Sequence, residues 1–180
     1  MHPSHQAASL PGVVRQLGYI VRDVDKAMAG WLDLGIGPFY VLRGQVQRGL
    51  YRGKPVEVTL TIAFANSGDM QIELIQQLDH TPSVYTEFLR SGREGFNHLA
   101  WWTDDFDATR KAAEESDWPV VWSGGGNGSA QFFYLEPPAG GAATFFELME
   151  LTPATIGLAT LVREAAVNWD GQDPIRTLGR

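Results

Sequence analysis

Four polar side chains stand at matching places in two similar parts of the chain, and each carries an oxygen or nitrogen that can bind a divalent cation. Gln16 and Glu73 lie in the first part, and His98 and Glu147 lie in the second, all within short apolar stretches typical of β-strands. Two carboxylates among apolar neighbours cost free energy unless their charge is compensated. A cation would compensate both, and nitrogen and oxygen ligands without a thiolate suit Zn, Ni, Co, Mn or Fe. The four residues therefore predict a metal site.

The matching places arise from an internal duplication. Residues 15–25 overlay residues 97–107, and in both a polar strand residue precedes a helix-capping aspartate, Asp23 or Asp105, by seven positions. Residues 71–75 overlay residues 145–149 in the same chain order. Two overlays in one order predict duplicated halves whose equivalent strands converge.

The alternation of side chains along a strand assigns the four residues to one face. Gln16, Glu73, His98 and Glu147 all fall on the face turned away from the predicted helices. The same alternation places six apolar residues beside them, and these form a predicted substrate-binding wall: Ile20, Ile75, Phe96, Trp102, Phe145 and Met149. An apolar and aromatic wall favours a hydrophobic carbonyl substrate over a sugar.

Strand and helix signals follow the same order in both halves: a strand, a helix, then three strands. The first half includes a short predicted strand over 39–42, and the second includes a predicted loop at the glycine-rich stretch 124–128. That stretch lacks the Gly-Lys-Ser/Thr ending of a phosphate loop and leads into a strand. A helical stripe over 158–169 predicts a C-terminal helix.

Composition excludes several classes of function. The 180 residues carry a formal net charge of −7 and no cysteine, which excludes disulfides, thiolate metal sites and cysteine nucleophiles. No basic stripe points to a nucleic acid, and no apolar run reaches the roughly 20 residues of a membrane span. Residues 1–12 show no signal-peptide pattern, so we expect a cytoplasmic protein with no nucleic-acid or membrane partner.

The chain resembles the vicinal oxygen chelate superfamily, which includes glyoxalase I, methylmalonyl-CoA epimerase, extradiol dioxygenases and bleomycin resistance proteins. The segments that carry the resemblance are 15–25, the Gly-Pro-Phe at 37–39, and 71–77, 95–107 and 145–150. The resemblance implies an α+β fold of two tandem βαβββ modules, which form a curled mixed sheet around a metal cavity, followed by a C-terminal helical tail. It also implies that the ligands are Gln16, Glu73, His98 and Glu147, a set like that of zinc-type glyoxalase I.

Other members of the superfamily match less well. Within the superfamily that the chain resembles, methylmalonyl-CoA epimerase has Gln at the place of Glu73 and His at the place of Gln16, so its ligand set is less similar. Extradiol dioxygenases need two histidines and one carboxylate for Fe(II), whereas this set contains one histidine. The resemblance therefore favours a glyoxalase-like isomerase, epimerase or lyase that stabilises an enolate or oxyanion, with Glu147 as general base and Glu73 as its acid/base partner.

The predicted organisation is one domain over 13–152, within which residues 13–80 and 95–152 are the two modules and residues 81–94 a linker helix. Residues 1–12 are a predicted flexible leader, and residues 153–180 a C-terminal helix and tail. We also expect a homodimer. The alternative function is a non-catalytic protein that binds and sequesters a small molecule on the same scaffold, as resistance proteins do.

Overall fold

A computed structural model describes residues 10, 12–115, 118–138 and 141–179. The first module consists of β1 (Gln16–Ile20), α1 (Val24–Asp33), β2 (Phe39–Tyr51), β3 (Lys54–Ser67) and β4 (Met70–Gln77). After α2 (Val84–Arg90), the second module consists of β5 (Gly95–Thr103), α3 (Phe106–Glu114), β6 (Val120–Gly126), β7 (Ser129–Leu135) and β8 (Phe145–Glu150). The chain continues with α4 (Pro153–Ala166) and β9 (Ile175–Thr177). The predicted α+β fold of two βαβββ modules with a C-terminal helix is confirmed. The predicted leader falls almost wholly outside the described residues.

The duplication appears in the strand register. In the first module β1 and β4 are parallel, and Gly18 is the register partner of Glu73. In the second module β5 and β8 are parallel, and Ala100 is the register partner of Glu147. The two modules meet where β1 and β5 pair in antiparallel fashion. This arrangement places β4, β1, β5 and β8 side by side at the centre of the curled sheet.

Local sequence signals explain where the module helices begin. The side chains of Asp23 and Asp105 accept hydrogen bonds from the backbone amides of Lys26 and Ala108, as N-caps do. Helix α1 then packs on one face of the sheet through an apolar cluster that includes Val24, Met28, Ile72 and Leu74. The opposite, concave face is thereby left for the predicted site.

Strand β2 is much longer than the predicted strand over 39–42, and it closes the sheet. It pairs with β3 along most of its length, with β9 at Phe39–Val41 and with β6 at Gly49–Tyr51. The contact with β6 joins the first module to the second. Because β2 pairs with both β3 and β6, the sheet forms a closed ring of strands rather than an open curl.

The glycine-rich stretch forms part of this closure, so its prediction as a loop is wrong over residues 124–126. These three glycines lie in β6, and the register pairs Gly49 of β2 with Gly124. A Cβ on Gly49 would lie less than 3.0 Å from the carbonyl oxygen of Ser123. The absence of side chains allows the two backbones to approach, which local sequence rules do not reveal.

We expect Gly49→Ala to lower the free energy of unfolding by about 1–3 kcal/mol, because the added methyl group must push β2 and β6 apart. The matched control is Gly157→Ala in α4, where a Cβ would have no heavy atom within 4 Å. Denaturant unfolding of both variants measures the difference. Equal stability of the two variants would show that β2 and β6 can move apart to accommodate the methyl group without a loss of unfolding free energy.

An apolar cluster fills the concave side at the end where α2 packs. Ser83 caps α2 with a capping box, and Val84, Tyr85 and Phe88 of this helix are buried against the sheet.

None of the described helices is long and apolar enough to cross a membrane.

Candidate metal centre

Three of the four predicted ligands converge on the concave face. Glu73 of β4, His98 of β5 and Glu147 of β8 each offer a ligand atom, and these atoms lie within 4.8 Å of one another. His98 Nε2 is 3.2 Å from Glu73 Oε2 and 3.1 Å from Glu147 Oε2. The imidazole therefore stands between two carboxylates that come from different modules.

The three side chains are buried, and their facing atoms lack hydrogen bonds. Exposure is 0% for His98, 8% for Glu73 and 7% for Glu147. Glu73 Oε2, His98 Nε2 and Glu147 Oε2 approach at ion-pair distance, but none has a hydrogen-bond partner of good geometry among the described residues. Buried polar atoms are normally satisfied. Three such atoms around one point fit a cation, and two carboxylates with one imidazole match the donors that divalent metals take.

The electrostatics of the cluster agree with this fit. Burial raises the pKa of Glu73, and the charge of Glu147 raises it further, against the opposing effect of His98. Burial alone would lower the pKa of His98, but the carboxylates of Glu147 and Glu73 raise it to about 9. Without a metal, a proton on His98 partly compensates the two acids. A divalent cation would take over that role with twice the charge.

Gly18 positions the imidazole, a role that the sequence analysis missed. It lies in β1 opposite His98, and a Cβ at this residue would lie less than 3.0 Å from three atoms of the His98 ring. The ring therefore occupies the space that any other residue would fill. A glycine inside a strand, facing the predicted ligands, was the available signal.

Other residues around the imidazole are also absent from the predicted set. The side-chain oxygen of Asn97 lies 3.3 Å from His98 Nδ1, and the ring of Tyr134 lies 5.0 Å from the imidazole, centroid to centroid. A hydrogen bond on Nδ1 leaves Nε2 free to bind a metal. Burial raises the pKa of Tyr134, and the charge of Glu147 adds to this, so its hydroxyl stays protonated.

Gln16, the fourth predicted ligand, lies on the same concave face and is 2% exposed. Its side-chain nitrogen donates a hydrogen bond of 2.7 Å to the side-chain oxygen of Gln71, its register partner on β4. Gln16 occupies the place in the first module that His98 occupies in the second. Its role as a ligand stays a prediction.

Most of the predicted apolar wall lies on the expected face. Ile20, Ile75 and Phe145 are buried in the apolar cluster that also contains Tyr85 and Trp122. Trp102 and Met149 are register partners farther along β5 and β8, and both are half-buried. Substrate contact by any of them stays a prediction.

The placement of Phe96 on the concave face is wrong. A bulge interrupts the pairing of β1 and β5 at Gly18 and Tyr19, so that Phe96 becomes the partner of Tyr19. The two rings meet edge to face at 5.7 Å on the side of α1, and Phe96 is 38% exposed. The extra residue of the bulge reverses the alternation, which a strict period of two cannot anticipate.

The sequence profile described as Glyoxalase/Bleomycin resistance protein/Dioxygenase superfamily matches residues 15–134, two thirds of the chain. The chain belongs to this superfamily. The match includes Gln16, Glu73 and His98 and ends before β8. No curated protein matches the chain in sequence.

Solved structures show that the superfamily's fold extends over most of the chain. Methylmalonyl-CoA epimerase from Mycobacterium tuberculosis is 21% identical, with a TM-score of 0.54, over 80% of this chain and 91% of that protein. A variant of methylmalonyl-CoA epimerase from Streptomyces coelicolor, in complex with 2-nitronate-propionyl-CoA, is 17% identical, with a TM-score of 0.56, over 78% and 95%. A hypothetical protein from Bacillus halodurans is 18% identical, with a TM-score of 0.55, over 78% and 94%.

Proposed function

We propose that the protein is a metal-dependent enzyme that moves a proton next to the carbonyl group of a hydrophobic substrate, as an isomerase, epimerase or lyase. The observation that carries this proposal is the group of three buried atoms without hydrogen bonds, on Glu73, His98 and Glu147. A protein that only packed its core would gain stability by replacing such a group with apolar residues. The presence of two buried acids beside an imidazole therefore favours a catalytic role of these side chains over a purely structural role.

The ion would be held by Glu73, His98 and Glu147, with Gln16 as the proposed fourth ligand. A divalent cation supplies a Lewis acid that makes the hydrogen next to a carbonyl group more acidic. Glu147 then takes that proton on a carboxylate oxygen, and Glu73 gives a proton back or takes one from the other side. His98 Nε2 lies 3.2 Å from Glu73 Oε2 and 3.1 Å from Glu147 Oε2, so the imidazole stands between the two acids.

The apolar end of the concave face supports a hydrophobic substrate. Ile20, Ile75 and Phe145 are buried next to the three ligands, together with the rings of Tyr85 and Trp122. Burial raises the pKa of Tyr85, and so do the charges of Glu73 and Glu147, so its hydroxyl remains a neutral donor. The reacting carbon of a substrate held at the three ligands would border this region of low dielectric, where charges interact more strongly than in water.

Methylmalonyl-CoA epimerases among the similar structures support an epimerase-type reaction. A coenzyme A ester has weaker support, because arginines within and just after β2 that could hold its phosphates are already paired. Arg43 contacts Asp25, Arg48 contacts Glu57, and Arg52 contacts Glu87 and Glu136. The proposal also includes a cytoplasmic location and a homodimeric state. It places the boundaries of the two modules at 13–80 and 95–152.

Metal binding is expected to stabilise the protein measurably. After treatment with EDTA, addition of Zn, Ni, Co, Mn or Fe(II) should restore one ion per chain and raise the unfolding temperature. A ligand at 100 times its Kd contributes about 2.7 kcal/mol, which corresponds to about 5–10 °C for a chain of this size. Elemental analysis and calorimetry measure the two effects.

His98→Ala should abolish the shift because it removes the nitrogen ligand, while His80→Ala, at an exposed residue, should retain it. The circular dichroism of both variants checks that they fold. If the native protein holds no metal and shows no shift with any of the five ions, the metal-dependent enzyme is wrong and the alternative of a metal-free binding protein gains support.

A further inference from the structure

A cavity with a volume of about 400 Å³ lies between α4 and the rim of the sheet. Ile156 and Arg163 of α4 line one side, and Arg15, Asn66 and Trp102 line the sheet side. None of the three converging metal ligands lines it.

The cavity adjoins the concave face through β3. Phe64 and Asn66 are the register partners of Glu73 and Gln71, so Asn66 lies one step along the face from the layer of Glu73. Val162 of α4 is fully buried against Phe64, and this contact fixes the helix over the rim. The cavity is therefore bounded by packed elements.

Two arginines of this cavity have no acidic partner among the described residues. The guanidinium of Arg15 lies 5.3 Å from the centre of the Trp102 ring, and neither Arg15 nor Arg163 takes part in an ion pair within the described chain. Asp69 also lines the cavity. Two positive charges and one negative charge leave a net positive charge in a protein whose overall charge is −7.

Two of the residues that line the cavity each carry a buried polar atom without a hydrogen bond. Trp102 Nε1 and the side-chain oxygen of Asn66 are buried and have no partner among the described residues, and Asn66 as a residue is 5% exposed. Buried groups of this kind are normally satisfied. An indole N–H beside an unpaired guanidinium offers two donors to one oxyanion, and the Asn66 oxygen can accept from a hydroxyl group.

We propose that this cavity binds the oxyanion end of an amphiphilic small molecule, a carboxylate or a phosphate, with the apolar part of the molecule against Trp102 and Ile156. Arg15, Arg163 and the Trp102 indole N–H hold the oxyanion. Asp69 weakens this binding by repulsion. The proposal needs no metal and no catalytic step, so it stands independently of the proposed enzyme.

Calorimetric titration of the full chain, treated with EDTA, tests the proposal with three probes of equal chain length: octanoate, octyl phosphate and 1-octanol. We expect at least one anion to bind at least tenfold more tightly than the alcohol. Tighter binding of octanoate would assign the site to carboxylates, and tighter binding of octyl phosphate would assign it to phosphates. Equal affinity for all three probes overturns the proposal.

Variants locate the binding. Arg163→Gln should weaken the preferred anion at least fivefold and leave octanol unchanged, whereas Asp69→Asn should tighten the anion. Trp102→Phe keeps a ring but loses the N–H donor, and should also weaken the anion. Arg110→Gln, at an exposed residue of α3, is the control and should match the native protein. Unchanged anion affinity in both Arg163→Gln and Arg15→Gln places the binding elsewhere and rejects the site.

Discussion

Glu147→Gln should slow the catalysed exchange of substrate hydrogen with solvent by about 10²–10⁴-fold, while the metal content stays close to that of the native protein. The glutamine side chain has nearly the size of glutamate and keeps an oxygen that can bind a metal, but it cannot accept the substrate's proton. The native carboxylate is buried and 3.1 Å from His98 Nε2. Loss of proton transfer without loss of metal would therefore distinguish the role of Glu147 as general base from its role as metal ligand.

The native protein is first screened by proton NMR in deuterated water against a panel of hydrophobic ketones and thioesters. The variants are then compared on the compound whose hydrogen the native protein exchanges fastest. Glu114→Gln, at an exposed ion pair with Arg110 on α3, is the matched control and should exchange at the native rate. Native exchange in Glu147→Gln would remove Glu147 from the role of base and leave Glu73→Gln as the next test.

Gly18→Ala should weaken metal binding by about 10–100-fold, although residue 18 is not a ligand, and should also lower the unfolding temperature of the metal-free protein. The new Cβ would lie less than 3.0 Å from three atoms of the His98 ring, so the imidazole must move away from the two carboxylates. Changes that misplace a metal ligand cost affinity on this scale, and overpacking adds about 1–3 kcal/mol of instability.

Gly30→Ala in α1 provides the control, because a Cβ there has no heavy atom within 4 Å and alanine favours the helix by about 1 kcal/mol. Titration of both variants with the metal that the native protein prefers gives the two affinities. An affinity in Gly18→Ala equal to that of the control would show that His98 has another place from which to bind.

The parts of the fold that follow from local chemistry were predictable. Asp23 and Asp105 cap their helices as the sequence predicts, and the equivalence of the two halves follows from the repeated strand and cap pattern. The duplication also predicted that Glu73, His98 and Glu147 come together, because equivalent strands of a repeat must take equivalent places. These features depend on residues close in the chain or on symmetry.

The features that were missed depend on contacts between distant strands. Phe96 changes face because of a bulge opposite Gly18, and 124–126 becomes a strand because β2 approaches it across the ring. Neither event leaves a periodic signal in its own segment. The hydrogen bond between Gln16 and Gln71 likewise depends on register, which a single sequence constrains only weakly.

The closure of the sheet by β2 bears on how the two acids are brought together. Glu73 belongs to the first module and Glu147 to the second, and both modules are supplied by one polypeptide that is sealed at Gly49 and Gly124. Each chain thus supplies all three of the side chains Glu73, His98 and Glu147 by itself. The three side chains therefore stay together in a single copy of the chain, whatever the protein concentration.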